Sequence, residues 1–155
     1  MNTHSQKIYD TIVVGAGISG LSAAYHLKKF SPQAEFLVLE GRDNFGGTWD
    51  FFKYPGIRSD SDMHTLGFSF KPWNSRKFIA DGPAIMNYLD ETIEENNLKD
   101  LIKFNMHIES ASWNSEDSLW ELSINNKKLN KLEIIKTKFI QMCACLLYTS
   151  DAADD

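Results

Sequence analysis

Residues 11–20 read TIVVGAGISG, and the fold is decided there. The β-branched run Thr11, Ile12, Val13 and Val14 leads straight into Gly15, Gly17 and Gly20, and the next nine residues, LSAAYHLKK, have helix-forming character. The pattern predicts a strand, a tight turn and a helix. The three glycines act separately. Gly15 permits the turn, Gly17 lets backbone approach a diphosphate, and Gly20 lets the helix pack closely on the strand. Unpaired amides at the helix start then point at the phosphates, where the helix dipole also favours negative charge.

A glycine turn alone is weak evidence, but the context strengthens it. A second apolar strand is predicted over residues 35–39 (EFLVL), and it ends in Glu40, about 20 residues past the last glycine, where a ribose-binding carboxylate belongs. A carboxylate there accepts hydrogen bonds from ribose hydroxyls and repels a 2′-phosphate. The first unit is therefore expected to hold FAD or NAD rather than NADP.

The bulk composition narrows the rest. A chain of 155 residues with 43% hydrophobic and 24% charged residues has the makeup of one globular core. A formal charge of -5 leaves no basic footprint, so no nucleic-acid role is expected. Residues 1–10 are polar and no run of eighteen apolar residues occurs, so the expected location is the cytoplasm, with no integral membrane segment. Cys143 and Cys145 are too few for a disulfide framework and lack zinc-site spacing.

Along the chain, the first helix is expected over residues 18–30, with Leu21, Ala24 and Leu27 facing the sheet and Pro32 stopping it. His26 within it reads as a packing or solvated residue. From Gly41 to Trp73 periodicity disappears while glycine, aromatic residues and charge become dense, which marks a functional loop rather than a disordered one. Gly46 and Gly47 permit close approach to a flat ligand, with Trp49, Phe51, Phe52 and Tyr54 as apolar walls. The turn Tyr54-Pro55-Gly56 presents Arg58, Ser59 and Asp60 in succession; Asp62 and His64 follow, at a spacing that matches no common metal-ligand set.

Asp81-Gly82-Pro83 reads as a helix start, with Ile85, Met86, Leu89 and Ile93 at helical spacing to about Asn97. A strand is expected over residues 101–110, returning to the nucleotide edge, where Ile108 could meet the adenine. Residues 112–113, 119–124 and 131–135 read as a small antiparallel meander inserted into a parallel sheet, with Trp113 and Trp120 as its core. Residues 139–143 (FIQMC) suit a buried central strand of that parallel sheet, giving an α/β architecture.

Taken together, GAGISG, Glu40, GGTWDFFKYPGIRSDSD and GFSFKPW resemble the N-terminal part of a flavin-dependent monooxygenase of Baeyer-Villiger type, nearest to the ethionamide-activating branch. The pairing of GGTW with YPGIRSDSD is far more specific than the glycine turn, and the similarity runs from about Asp10 to Ala144. The resemblance implies a Rossmann-like FAD-binding domain, here truncated. It also implies reduction by NADPH and the use of molecular oxygen on a ketone or a sulfur centre. It assigns Gly15, Gly17, Ser19 and Gly20 to the FAD diphosphate and Glu40 to the ribose; Gly47, Thr48 and Trp49 lie by the flavin, and Arg58, Ser59 and Asp60 face flavin and nicotinamide. Asp60 matches the family's active-site aspartate, which orients an arginine and the nicotinamide amide. An N-oxidising flavin monooxygenase and a stand-alone flavin-binding module are the alternatives.

Residues 145–155, CLLYTSDAADD, depart from the family pattern. Their codons can be spelled as a transposon end followed by a sequencing adapter, so the expected domain spans residues 1–144 and the tail is read-through.

Overall fold

The computed structural model describes residues 7–144. The tail lies outside the described residues. Chain order is β1 (Ile8–Val14), α1 (Ile18–Phe30), β2 (Phe36–Leu39), α2 (Thr48–Phe51), α3 (Met63–Leu66), α4 (Gly82–Glu95), β3 (Ile102–Lys103), β4 (Met106–Asn114), β5 (Leu119–Asn126) and β6 (Lys131–Met142). The strands form a six-stranded sheet of order β3-β2-β1-β6-β5-β4. Pairing is parallel for β1 with β2, β1 with β6 and β2 with β3, and antiparallel for β4 with β5 and β5 with β6.

Alternation along the central strands divides two apolar clusters between the faces of the sheet. Val13, Phe36 and Val38 point to the side covered by α1 and α4, where they meet Leu21, Ala24, Ile85 and Leu89. Ile12 and Leu39 point the other way, onto Leu122 and Ile124 of the meander. Ile85 and Leu89 are fully buried, and each contributes about 2 kcal/mol by leaving water.

The helices end where their chemistry says they should. Asp81 caps α4, its carboxylate accepting from Ala84 N at 2.9 Å, and Pro83 sits in the first turn. The end of α4 is tied to α1 by Lys28 Nζ, which donates to the carbonyls of Asn96 and Asn97 at 2.9 and 2.8 Å. His26 Nδ1 lies 2.8 Å from the Ser22 carbonyl, and its ring stacks on Phe30, in keeping with a packing residue.

Four sequence expectations are corrected. The strand expected over residues 101–110 is broken at Asn105, whose φ of 61° turns the chain; β3 lies at one edge of the strand order and β4 at the other. Residues 131–135 and 139–142 form one strand, so the meander grows out of the parallel sheet through β6 instead of being a separate insertion. Trp113 is 48% exposed, stacked edge-on with Trp120, and the meander's core is Leu122 and Ile124. In β6, Ile140 packs inward as expected of a central strand, but Phe139 and Met142 are exposed.

The long segment after β2 is held by its aromatic residues. Phe70 stacks on Tyr25 of α1 with ring centroids 3.5 Å apart and on Phe68 at 4.8 Å. Tyr88 of α4 accepts from Phe68 N and donates to the Lys71 carbonyl, which fixes the same stretch to the second long helix.

Candidate functional site

The site is assembled where β1 and β2 end beneath the start of α1. Gly15 N donates to Leu39 O at 2.8 Å, and Gly15 adopts φ 99°, a left-handed conformation that side chains rarely tolerate. A Cβ on Gly20 would collide with the carbonyl oxygen of Gly15, so close helix packing requires glycine there. Gly17 forms the N-cap of α1 and, being glycine, offers no side-chain hydrogen bond, while no acidic residue lies in the first turn. The first amides of this 13-residue helix are thus left for an external acceptor.

A second glycine turn closes onto the first. Gly46 N donates to Ala16 O at 2.9 Å, and Gly47, at φ 57°, leads into α2. A Cβ added to Gly47 would stand 3.1 Å from Gly17 Cα, so the two glycines face each other at close range and a side chain on Gly47 would crowd the first turn. A Cβ on Gly46 would run into the Met86 thioether, which seats this turn on α4.

Glu40 is the buried charge at the end of β2, only 7% exposed. Its Oε2 accepts from Ala16 N at 2.8 Å, and its Oε1 accepts from Arg42 N at 3.1 Å with the Arg42 guanidinium 3.6 Å away. A carboxylate has about four acceptor positions, so lone pairs remain for a ligand hydroxyl. Its own backbone closes the sheet around the site: Glu40 N donates to Lys103 O, and Glu40 O accepts from Met106 N, both at 2.9 Å.

The other residues singled out in the sequence fall into three groups. Ser19 and Thr48 stand in the first turns of α1 and α2, while Trp49 is packed against the core. Ile108 lies in β4, two residues past the tie between Met106 and Glu40, and packs in the second apolar cluster opposite Ile124. Arg58, Ser59 and Asp60 are held against the chain before α4. Ser59 is buried, its N donating to Ala80 O at 2.8 Å and its Oγ accepting from Ala80 N at 3.1 Å. Arg58 and Asp60 on either side of it are exposed, as are Phe51, Phe52 and Tyr54.

Asp62 caps α3, accepting from Thr65 N and Oγ1 at 3.0 and 2.9 Å, and these bonds hold its carboxyl below the usual range. Among the described residues no cluster of three metal-ligating side chains occurs. Burial pushes the Cys143 thiol up, which keeps it a thiol beside Gly15.

One residue of the site carries no clear signal in the sequence. Arg42, two positions past Glu40, donates through Nη2 to Gly47 O at 2.9 Å and approaches Asp50 at 3.9 Å. Its spacing from Glu40 is the one hint, and a single arginine beside an acid is common on surfaces.

Glycine turns in which Gly20 and Gly46 have no room for a Cβ, an uncapped helix start and a buried acid at the adjoining strand end fit a dinucleotide, and define a dinucleotide-binding α/β domain. The chain belongs to the family of NAD(P)-binding Rossmann-like domains, whose family model matches residues 13–91. It is 47% identical to the FAD-containing monooxygenase EthA of Mycolicibacterium smegmatis over 88% of this chain and 27% of that protein. It is 52% identical to the probable FAD-binding monooxygenase AlmA of an Acinetobacter species over 79% of this chain and 25% of that one. Among solved structures, an oxidized steroid monooxygenase bound to NADP superposes with a TM-score of 0.79 at 27% identity, covering 89% of this chain and 26% of that one. The chain thus spans about a quarter of the length of the curated relatives it matches. The resemblance to flavin-dependent Baeyer-Villiger monooxygenases holds over most of the chain; the two curated relatives are named for FAD, and the steroid monooxygenase holds NADP. No described helix is long and apolar enough to cross a membrane.

Proposed function

We propose that this chain is the FAD-binding part of a monooxygenase that uses NADPH and molecular oxygen to oxidise a ketone or a sulfur-containing small molecule. The observation that carries the reading is the buried Glu40 carboxylate, fastened to the glycine turn through Ala16 N beside the uncapped start of α1. FAD, when bound, supplies the redox chemistry. The chain's own residues bind and orient: the first amides of α1, around Gly17, Ser19 and Gly20, hold the diphosphate, while Glu40 accepts from ribose hydroxyls. Arg42 is engaged with Gly47 and Asp50 and is not turned outward toward a 2′-phosphate, which supports FAD over NADP in this slot. Thr48 and Trp49 border the flavin, and Ile108 stands at the adenine end. Asp60, with Arg58, orients the nicotinamide, a role that suits exposed charges awaiting an ionic partner.

The GGTW and YPGIRSDSD motifs support a Baeyer-Villiger reaction over N-oxidation. NADPH consumption by the full-length protein containing this chain tests that choice. The expected result is oxidation that depends on an added ketone or thioether, yielding an ester or sulfoxide; turnover with amines alone would favour the N-oxidising reading.

A further inference from the structure

We infer that Arg42 is a positioning residue: it locks the ribose-side carboxylate to the Gly46-Gly47 turn, so that the two walls of the dinucleotide slot keep one spacing. The inference rests on the reading that the slot takes FAD. Arg42 touches both walls at once. Its backbone N and its guanidinium meet Glu40 Oε1 at 3.1 and 3.6 Å, and its Nη2 donates to Gly47 O at 2.9 Å. The remaining nitrogen lies 3.9 Å from Asp50 Oδ2, and the guanidinium stands over the Phe51 ring at 5.5 Å. Asp50 is itself held by Asn44 at 2.8 Å and Lys53 at 3.3 Å. At the base, the Arg42 carbonyl accepts from Asn105 N at 2.8 Å, which fixes where the side chain starts.

The position of Gly47 is what makes this tie matter. With a hypothetical Gly47 Cβ only 3.1 Å from Gly17 Cα, small shifts of that turn open or shut the gap facing α1. One backbone bond, Gly46 N to Ala16 O, holds the turn from the glycine side. Arg42 holds it from the ribose side. A planar fork reaches Glu40, Gly47 and Asp50 together, whereas a lysine ammonium is a point charge on a flexible stem and satisfies one of them at a time.

The test uses the full-length protein containing this chain, with Arg42→Gln and Arg42→Lys. In the ligand-free protein, hydrogen exchange over residues 44–52 is expected to quicken in both variants while residues 82–95 exchange as before. FAD affinity, measured by calorimetry well below the melting temperature, is expected to weaken about ten- to hundredfold in Arg42→Gln, the size expected for a lost charge-assisted bond. Arg42→Lys is expected to stay weak. Restoration of full affinity by lysine would overturn the inference, because charge alone would then suffice. Unchanged exchange over 44–52 in Arg42→Gln would overturn it equally. If Arg42→Gln fails to fold, Asp50→Asn loosens the same clamp and is expected to shift exchange and affinity in the same direction by a smaller amount; no shift in either would count against the inference. A wild-type full-length protein that takes up no FAD refutes the FAD reading, and the exchange measurement then still decides whether Arg42 holds the turn.

Discussion

The Glu40 end of the site and the Arg58-Asp60 segment are built on opposite plans. Around Glu40 the acid is buried and its oxygens are tied to Ala16 and Arg42, and Gly20 and Gly46 leave no space for a side chain. In the second segment only Ser59 is fastened inward; among the described residues neither Arg58 nor Asp60 makes an ion pair or a side-chain hydrogen bond. The first region is closed by backbone bonds that reach from Gly15 to Met106, with Cys143 packed beside Gly15. The second presents charges from a fixed platform, which is the arrangement expected where cofactor or a further part of the protein supplies the partner.

Substitutions separate the two plans by size of effect. Gly20→Ala is expected to cost about 3 kcal/mol of stability, because the methyl group meets backbone that cannot move aside; thermal unfolding checks this, and a near-neutral result would mean that the glycine turn yields easily. Glu40→Ala is expected to lower stability by about 2 kcal/mol through the stranded Ala16 amide and to weaken FAD binding at least about tenfold. Loss of stability without loss of affinity would place the acid's role in folding alone. Ser59→Ala is expected to cost about 1 kcal/mol by removing the acceptor for Ala80 N. Arg58→Ala and Asp60→Asn are expected to stay within about 0.5 kcal/mol of the parent in the same melt while slowing NADPH use by the full-length protein. A large stability loss at Asp60 would break the comparison.

The difference between the regions also marks what the sequence discloses. The glycine turn, the end of α1 before Pro32, the Asp81 cap and the acid at residue 40 are legible because each follows a local rule of backbone chemistry. The continuity of β6 is hidden by Lys136-Thr137-Lys138, which reads as a polar break. In the fold, Lys136 pairs with Glu121 at 2.7 Å and Asp117 at 3.3 Å, and buried Thr137 donates to Phe139 O, so the polar groups are satisfied within a strand. The kink at Asn105 depends on bonds to Arg42 and Lys127, far apart in sequence, and no periodicity announces them. Arg42 escapes a reading of the sequence for the same reason: its partner Gly47 is defined by the turn's approach to Gly17, a tertiary fact. Hydrophobicity alone places Trp113 in the core, but β4 is an edge strand of the order and leaves that ring half in water.

Whether this slot is built for FAD is decided by a crystal structure of the chain grown with the flavin. The diphosphate is expected to be hydrogen-bonded to the first amides of α1 between Gly17 and Gly47, with a ribose hydroxyl on Glu40. Flavin bound elsewhere, or a Glu40 carboxylate that makes no contact with it, would contradict the assignment.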